Sequence, residues 1–443
     1  MALRLQTVLL LALASAGSLR AQNPAPVRLS FADAVRQATG ATQAPPPTVE
    51  LAGLRTDESR ARVKQARSGL LPSLSLAGSW ANRDFNPQAQ GLNFPGLPSI
   101  IGPFDAVDGR VQLRQTILDL SNIARVSAAK RQVTASTAEG SATVETSAQA
   151  VAVGYARVIR GMAIVAARRA DSSLAAELVH LAVAQQQAGV SASIDVTRAR
   201  VQLAESAGRL VLATSQFGRN RIDFARALGL DASTPIEFTD TLTADLGAAD
   251  VPLDRDAAVA QAVAARPDLA AELARGAAAR STAKSISAER LPRLELAADV
   301  GLSGTQPDNV LATNGVSLQV TLPVLDGFRR EGRLTEQRAV AEESDVRAKD
   351  LRLQVAADVD GALLDIRSAA AQQMIARERL ALAAQELSQA RQRFQAGVAG
   401  NIEVINAQES LVLAREADVD ARFAGVTARI ALARSVGAAR TLH

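Results

Sequence analysis

Apolar and polar residues alternate in two neighbouring segments of the second half of the chain. From Arg293 to Ser303, leucine, alanine and valine face one way, and arginine, glutamate, aspartate and serine face the other. From Gly315 to Leu322, valine and leucine alternate with serine, glutamine and threonine. A period of two over about ten residues predicts β-strands with one apolar and one polar face. Strands of this length also suit a membrane β-barrel.

The first half repeats this pattern, with Leu74, Leu76 and Trp80 on one face of a strand that starts at Ser73. The alternation predicts four strands, at about residues 73–83, 107–118, 293–303 and 315–323. The segments between the strands of each pair, 82–106 and 304–314, are rich in turn-forming residues and are expected to be loops.

Long stretches without proline predict long helices. No proline occurs between Phe104 and Thr234 or between Val324 and His443, and both spans are rich in good helix formers. Each span is expected to hold one strand, then a very long helix, a tight turn and a shorter helix. The long helix of the second half is predicted from Asp326 to Gln395, about 100 Å at 1.5 Å per residue.

Glycine–valine pairs interrupt both long helices, at Gly189–Val190 and at Gly397–Val398. Glycine is the usual residue just beyond a helix end. Ser193 and Asn401 follow and are expected to cap the next helices. Each half is therefore predicted to contain a helical hairpin with its tip at these residues.

The halves also share sequence. Residues 187–196 reappear as 395–404, residues 110–119 as 317–326, and residues 71–74 as 291–294. Three matched segments in one order predict an internal duplication, with a first repeat at 28–235 and a second at 252–437.

The N-terminus predicts an exported protein. Arg4, a short apolar stretch from Thr7 to Ala14 and small residues after it are typical of a secretory signal peptide, which we place at residues 1–21. No other segment has about 18 uninterrupted apolar residues, so no helical membrane anchor is expected.

The composition argues against most site chemistry. The absence of cysteine excludes disulfides, thiolate metal sites and cysteine lipidation, and the only histidines are His180 and His443. We therefore expect no enzyme, no cofactor and no metal site, and His180 is interpreted as a surface residue of a helix. A net charge of +4 without a basic stripe and interleaved aromatic residues indicates no nucleic-acid partner.

Four amphipathic strands do not close a barrel alone. An open sheet in lipid leaves backbone groups unpaired, at several kcal/mol each. Closure requires further copies of the chain, and two copies would give eight strands and three would give twelve, both allowed even numbers. The pattern thus predicts an oligomer that is part β-barrel and part long-helix barrel.

Short motifs stand in the duplicated order of one known family. They are Leu29-Ser30-Phe31-Ala32-Asp33-Ala34, Leu70-Leu71-Pro72-Ser73-Leu74, Arg266-Pro267-Asp268-Leu269, Gly315-Val316-Ser317-Leu318, Leu325-Asp326-Gly327 and the two Gly-Val tips. In these motifs, over about residues 28–437, the chain resembles the outer-membrane efflux proteins, the TolC-like channels.

The resemblance implies a mixed α/β membrane protein. Its expected form is a homotrimer with a twelve-strand outer-membrane barrel in lipid and a helical barrel in the periplasm. The implied function is a passive exit duct of a tripartite efflux or type I secretion system. A periplasmic adaptor (membrane fusion) protein would dock directly, and an inner-membrane pump or ABC transporter would act indirectly and supply the energy.

The resemblance also implies two sites. The adaptor-contacting tips would be formed by Gly189, Val190, Ser191, Gly397, Val398 and Ala399. The pore constriction would be lined by Glu403 and Asn406, whose spacing puts them on one helix face. Phe394 and Ala399 stand where some relatives carry a tyrosine and an arginine that hold the closed aperture. The plainer alternatives are that the tip glycines only form turns and that Glu403 is an acid favoured at the start of a helix.

One other class of protein fits part of the pattern. A secreted or periplasmic coiled-coil scaffold without channel activity would explain the long helices and the low aromatic content. It would not explain four strands with segregated faces.

Overall fold

The computed structural model of the protein describes residues 27–41, 45–91, 95–96, 98–243 and 246–443. The predicted signal peptide, residues 1–21, lies outside the described residues. Helices and strands follow in the order β1 Val27–Leu29, α1 Phe31–Ala38, α2 Pro47–Ser68, β2 Ser73–Phe85, β3 Ile101–Leu118, α3 Leu120–Gln187, α4 Ser193–Ala227, β4 Ile236–Phe238, α5 Arg255–Ala265, α6 Pro267–Ala288, β5 Arg293–Gln306, β6 Asn309–Thr321, α7 Arg329–Gln395 and α8 Asn401–Ser435.

The chain divides into two compact units. The helical unit consists of the described residues up to Pro47 and those within Glu145–Arg255 and Asp360–His443. The sheet unit consists of Thr48–Val144 and Asp256–Val359. Helices α3 and α7 each begin in the sheet unit and end in the helical unit.

The sheet unit contains a four-stranded antiparallel sheet in the order β2-β3-β5-β6. Its register places Leu76 beside Val111 and Val111 beside Val300. Along β6, Val316, Leu318 and Val320 belong to the same face, and all three side chains are exposed. The sheet therefore presents an uncovered apolar face, and β2 and β6 form its two edges.

The predicted loops at 82–106 and 304–314 are wrong in extent. Strand β2 continues to Phe85 and β3 begins at Ile101, while β5 and β6 are separated only by Pro307 and Asp308. Gly304 shows why the second loop was predicted too long. A Cβ atom at Gly304 would lie 2.0 Å from the carbonyl oxygen of Asn309, so this glycine permits close strand approach within the hairpin.

An ion cluster occupies the polar face of the sheet. The Arg110 guanidinium donates to Asp299 at 2.7 Å and also to Asp108. Gly301 lies in register beside Arg110, and a Cβ there would come 2.4 Å from the Cβ of Arg110. The glycine thus leaves the space in which the arginine side chain crosses β5.

The core of the helical unit is aromatic. Tyr155 of α3 makes edge-to-face contacts with Phe31, Phe224 and Phe238, at centroid distances of 5.4–5.7 Å. Its hydroxyl donates to Asp240 at 2.8 Å, and the backbone N–H of Phe31 donates to the same carboxylate oxygen at 2.6 Å. This cluster fixes α3 against the short α1 and β4 segments.

Among the described residues, helix α3 is the one helix that is long and apolar enough to be a candidate membrane span. It contains an 18-residue stretch of mean hydropathy 1.5 that qualifies by length and composition. One such helix is weak evidence of a span, since core helices pass the same test. Val151, Tyr155 and Ile159 of α3 are indeed buried in the core of the helical unit.

Glu289, at the end of α6, accepts hydrogen bonds from Arg125 at 2.7 Å and from Arg333 at 2.9 Å. Burial alone would raise the pKa of this carboxyl, but the two arginines outweigh burial and lower the pKa below its ordinary value of 4.5. The ionised carboxylate therefore stabilises the sheet unit above about pH 4.5, and this stabilisation is lost as the pH falls through the lowered pKa.

We expect Glu289→Gln to destabilise the sheet unit by about 1–3 kcal/mol at pH 7, because it weakens two charge-assisted hydrogen bonds. The variant should also lose less further stability below pH 4.5 than the wild type does. Thermal unfolding between pH 7 and pH 3 measures both effects. The exposed Glu336 of α7 provides the control, since Glu336→Gln should leave the pH profile unchanged. Parallel profiles for wild type and Glu289→Gln would contradict the assignment.

Candidate functional site: the paired hairpin tips

The two predicted tips have the same backbone structure. Gly189 and Gly397 adopt φ values of +74° and +72°. The N–H of Val190 donates to the carbonyl of Gln185 at 2.9 Å, and the N–H of Val398 donates to that of Arg393 at 3.0 Å. In the Schellman ending of a helix, a glycine adopts left-handed backbone angles, and the N–H of the next residue donates to the carbonyl five residues before it. Both long helices therefore end just before the glycines, as the sequence predicts.

The tips lie against each other within the helical unit. A Cβ at Gly397 would be 3.8 Å from Cγ1 of Val190. The Gln185 side chain donates to the carbonyl of Phe394 at 3.0 Å. Behind these contacts, Leu178 packs in one buried cluster with Phe394, Val404 and other residues of α7 and α8. The two hairpins thus form one connected end.

The outer surface of this end is apolar. Val190 and Val398 are 63% and 72% exposed, and Ile194 and Ile402, at matching positions of α4 and α8, are about half exposed. Among the other predicted tip residues, Gly189 and Gly397 are exposed and Ser191 and Ala399 are half-buried. The predicted contact residues therefore surround a small apolar surface to which each tip contributes one valine and one isoleucine at matching positions.

The predicted helix caps are wrong. Ala192 and Gly400 occupy the cap positions, and neither provides a side-chain hydrogen bond. Ser193 and Asn401 are already the first residues of α4 and α8. The Asn401 side chain is fully buried and donates to the carbonyl of Asp195 at 2.9 Å, so it connects the two hairpins instead of capping its own helix.

The two predicted constriction residues share the first two turns of α8. Asn406 is exposed, and Glu403 is half-buried. Glu403 Oε1 lies 3.3 Å from Nε of Arg393, in the last turn of α7. Sequence reasoning missed Arg393, because no helical spacing relates residues on opposite sides of a turn. Phe394 is only 3% exposed, so its ring is part of the core.

Within the ranges that the structure describes, no three histidine, aspartate or glutamate side chains come together as a metal site. The tips combine exposed apolar side chains with ion pairs at the surface. Such an arrangement suits binding of another protein.

Comparison with known proteins gives a consistent result. The family model described as "Outer membrane efflux protein" matches residues 41–230 and 258–438. "Protein CyaE" of Bordetella pertussis is 25% identical over 384 residues, covering 84% of this chain and 77% of that protein. The "Pyoverdine export outer membrane protein OpmQ" of Pseudomonas putida is 25% identical over 262 residues. That match covers 59% of this chain and only about half, 55%, of OpmQ.

Solved structures share the fold. The outer membrane protein VceC of Vibrio cholerae superposes with a TM-score of 0.76 at 20% identity, over 92% of this chain and 96% of VceC. The outer membrane channel CmeC of Campylobacter jejuni gives 0.79 at 15% identity, over 92% and 86%. The open state of the outer membrane channel MtrE of Neisseria gonorrhoeae gives 0.72 at 16%, over 93% and 89%.

Proposed function

Because the chain belongs to the outer membrane efflux protein family, we propose that it is the passive exit duct of a tripartite efflux or type I secretion system. The family consists of channels rather than enzymes, and the chain lies in the outer membrane with its helical part in the periplasm. The passive mechanism, the trimer and the coupling to other components are the parts we propose.

The uncovered sheet is the observation that carries the proposal. Its apolar face is exposed along β2, β5 and β6, and its two edges are strands of 13 residues each. Edges of this length attract further strands, and in lipid they must be paired. Joining β6 of one copy to β2 of the next would satisfy both edges. The family resemblance favours three copies and twelve strands over two copies and eight strands.

The paired tips support docking of a periplasmic adaptor. Val190, Ile194, Val398 and Ile402 expose apolar area at the end of the helical unit, and exposed apolar patches mark protein contacts. An inner-membrane pump or ABC transporter would act through the adaptor and supply the energy. OpmQ is named for pyoverdine export. For this chain, we propose that the pump chooses the cargo.

Membrane association and conductance test the proposal together. A closed barrel should remain with outer membranes after carbonate washing, migrate as a trimer after cross-linking, and give discrete conductance steps in planar bilayers. A coiled-coil scaffold would be released by the wash and would give no steps. A soluble monomer without conductance would refute the duct.

We further expect Glu403→Lys to move the ion selectivity of the duct toward anions. Three copies of Glu403, with Asn406 one turn further along the same face, would surround the aperture, and fixed charges there change local ion concentrations. Reversal potentials in a potassium chloride gradient measure the shift. Unchanged selectivity would remove Glu403 from the pore lining and leave it as an acid at a helix start.

A further inference from the structure

Each tip holds one acid at the same position, and each acid has an arginine partner. Asp195 lies in the first turn of α4, and Glu403 lies in the first turn of α8. The partner of Asp195 is Arg198, three residues along the same helix at 3.7 Å. The partner of Glu403 is Arg393, on the other side of the turn at 3.3 Å.

The two tips have exchanged the position of this arginine. Where α4 has Arg198, the matching position of α8 is Asn406. Where α7 has Arg393, the matching position of α3 is Gln185. The second tip therefore has no arginine at the position within the helix and has one across the turn. In both arrangements the acid has one cation beside it.

The backbone on both sides of the Arg393–Glu403 pair is fixed. The carbonyl of Arg393 accepts the N–H groups of Val398 and Ala399, at 3.0 Å and 3.3 Å. The neighbouring Phe394 is buried, and the side chain of Asn401 is fully buried. Helix dipoles favour a cation in the last turn of α7 and an anion in the first turn of α8. These features fix the backbone positions from which the two charged side chains meet across the turn.

The pair itself stabilises the fold little. The side chains of Arg393 and Glu403 are 58% and 41% exposed, and exposed pairs contribute little to stability. An effect on the surrounding electric field does not require a strong bond. The effect on the field requires only that the guanidinium of Arg393 stays close to the Glu403 carboxylate when that carboxylate faces the aperture.

We propose that Arg393 is a selectivity-determining residue that neutralises Glu403, so that the constriction presents three compensated pairs instead of an acidic ring. This inference rests on the proposed function, because it assumes that Glu403 lines a pore. The duct then admits anionic as well as cationic solutes at its narrowest point. Loss of Arg393 exposes three carboxylates and makes the aperture cation-selective.

The test compares reversal potentials of reconstituted channels in a potassium chloride gradient. Arg393→Gln gives the second tip the residue of the first, and it should raise the ratio of potassium to chloride permeability at least about 16-fold. Even one unmasked charge about 5 Å from an ion in water favours potassium about fourfold and disfavours chloride about fourfold. The double variant Arg393→Gln with Asn406→Arg restores a cation in the arrangement of the first tip. It should return the ratio to the wild-type value.

Two further variants complete the set. Arg391→Gln removes an arginine two residues earlier, which pairs with Glu177 on α3, and it should leave the ratio unchanged. Arg393→Lys keeps the positive charge and should also behave as wild type. A wild-type ratio for Arg393→Gln would overturn the inference while the channel remains. Absence of conductance in the wild type and in every variant would instead refute the duct and, with it, this inference.

Discussion

Leu318→Arg is expected to prevent stable assembly of the protein in the outer membrane. Leu318 lies on the apolar face of β6, 64% exposed in the single chain, and pairs in register with Leu296 of β5. If this face meets lipid, an arginine near the middle of the membrane costs about 2–4 kcal/mol in each copy. The measurement is the fraction of protein that stays with carbonate-washed outer membranes as cross-linked trimers.

The adjacent residue provides a matched control. Gln319 lies on the opposite, polar face of β6 and pairs in register with Glu295. Gln319→Arg introduces the same side chain one position further on, toward an acidic neighbour, and should assemble normally. Equal loss in both variants would indicate a general intolerance of β6 to arginine. Normal assembly of Leu318→Arg would show that the apolar face is not in contact with lipid.

The elements themselves were predictable because their signals are local and repeated. Alternation in 293–303 and 315–322 identified β5 and β6, and the absence of proline after Pro323 identified α7 and α8. The extents of the hairpins were not predictable from the same signals. Gly304 was interpreted as a loop residue, but it allows β5 to approach Asn309 closely, and composition does not distinguish these two uses of glycine.

The tip site was predictable in position but not in its contacts. The Gly-Val pairs located both turns, because a left-handed residue after a helix strongly favours glycine. A local capping rule assigns Asn401 to its own helix, whereas its side-chain amide donates to the backbone carbonyl of Asp195 on the neighbouring hairpin. Arg393 could have been found by comparing the two repeats position by position, since Gln185 and Asn406 mark the exchange.

The number of copies does not follow from one chain. Two open edges and an uncovered apolar face require that something pairs and covers them. They are equally satisfied by any number of copies that closes the sheet at an allowed curvature. Closure is therefore the physical requirement, and the number three enters through the family resemblance.

Gly397→Val and Gly189→Val are expected to abolish export while trimers still form. Both glycines adopt φ near +73°, where a side chain costs about 1–2 kcal/mol and a branched one more. A strain of this size lowers the equilibrium ratio of native to non-native turn conformations about 5–30-fold in each copy. The turn would move, and with it the exposed Val190 or Val398 that we propose for adaptor contact. The sheet, which belongs to the other unit, is not altered.

Gly400 provides the matched control beside the same tip. Its φ is −80°, and no atom lies within 4 Å of an added Cβ, so Gly400→Ala should keep both the turn and export. Gly189→Ala separates strain from contact, because Gly189 also has open space around its Cβ position and only its φ opposes a side chain. Efflux of a fluorescent pump substrate and cross-linking of trimers, in cells that depend on this protein, measure the two outcomes. Normal efflux by Gly397→Val and Gly189→Val would exclude the tips as the docking site, whereas loss of trimers would show that the tips stabilise the assembly itself.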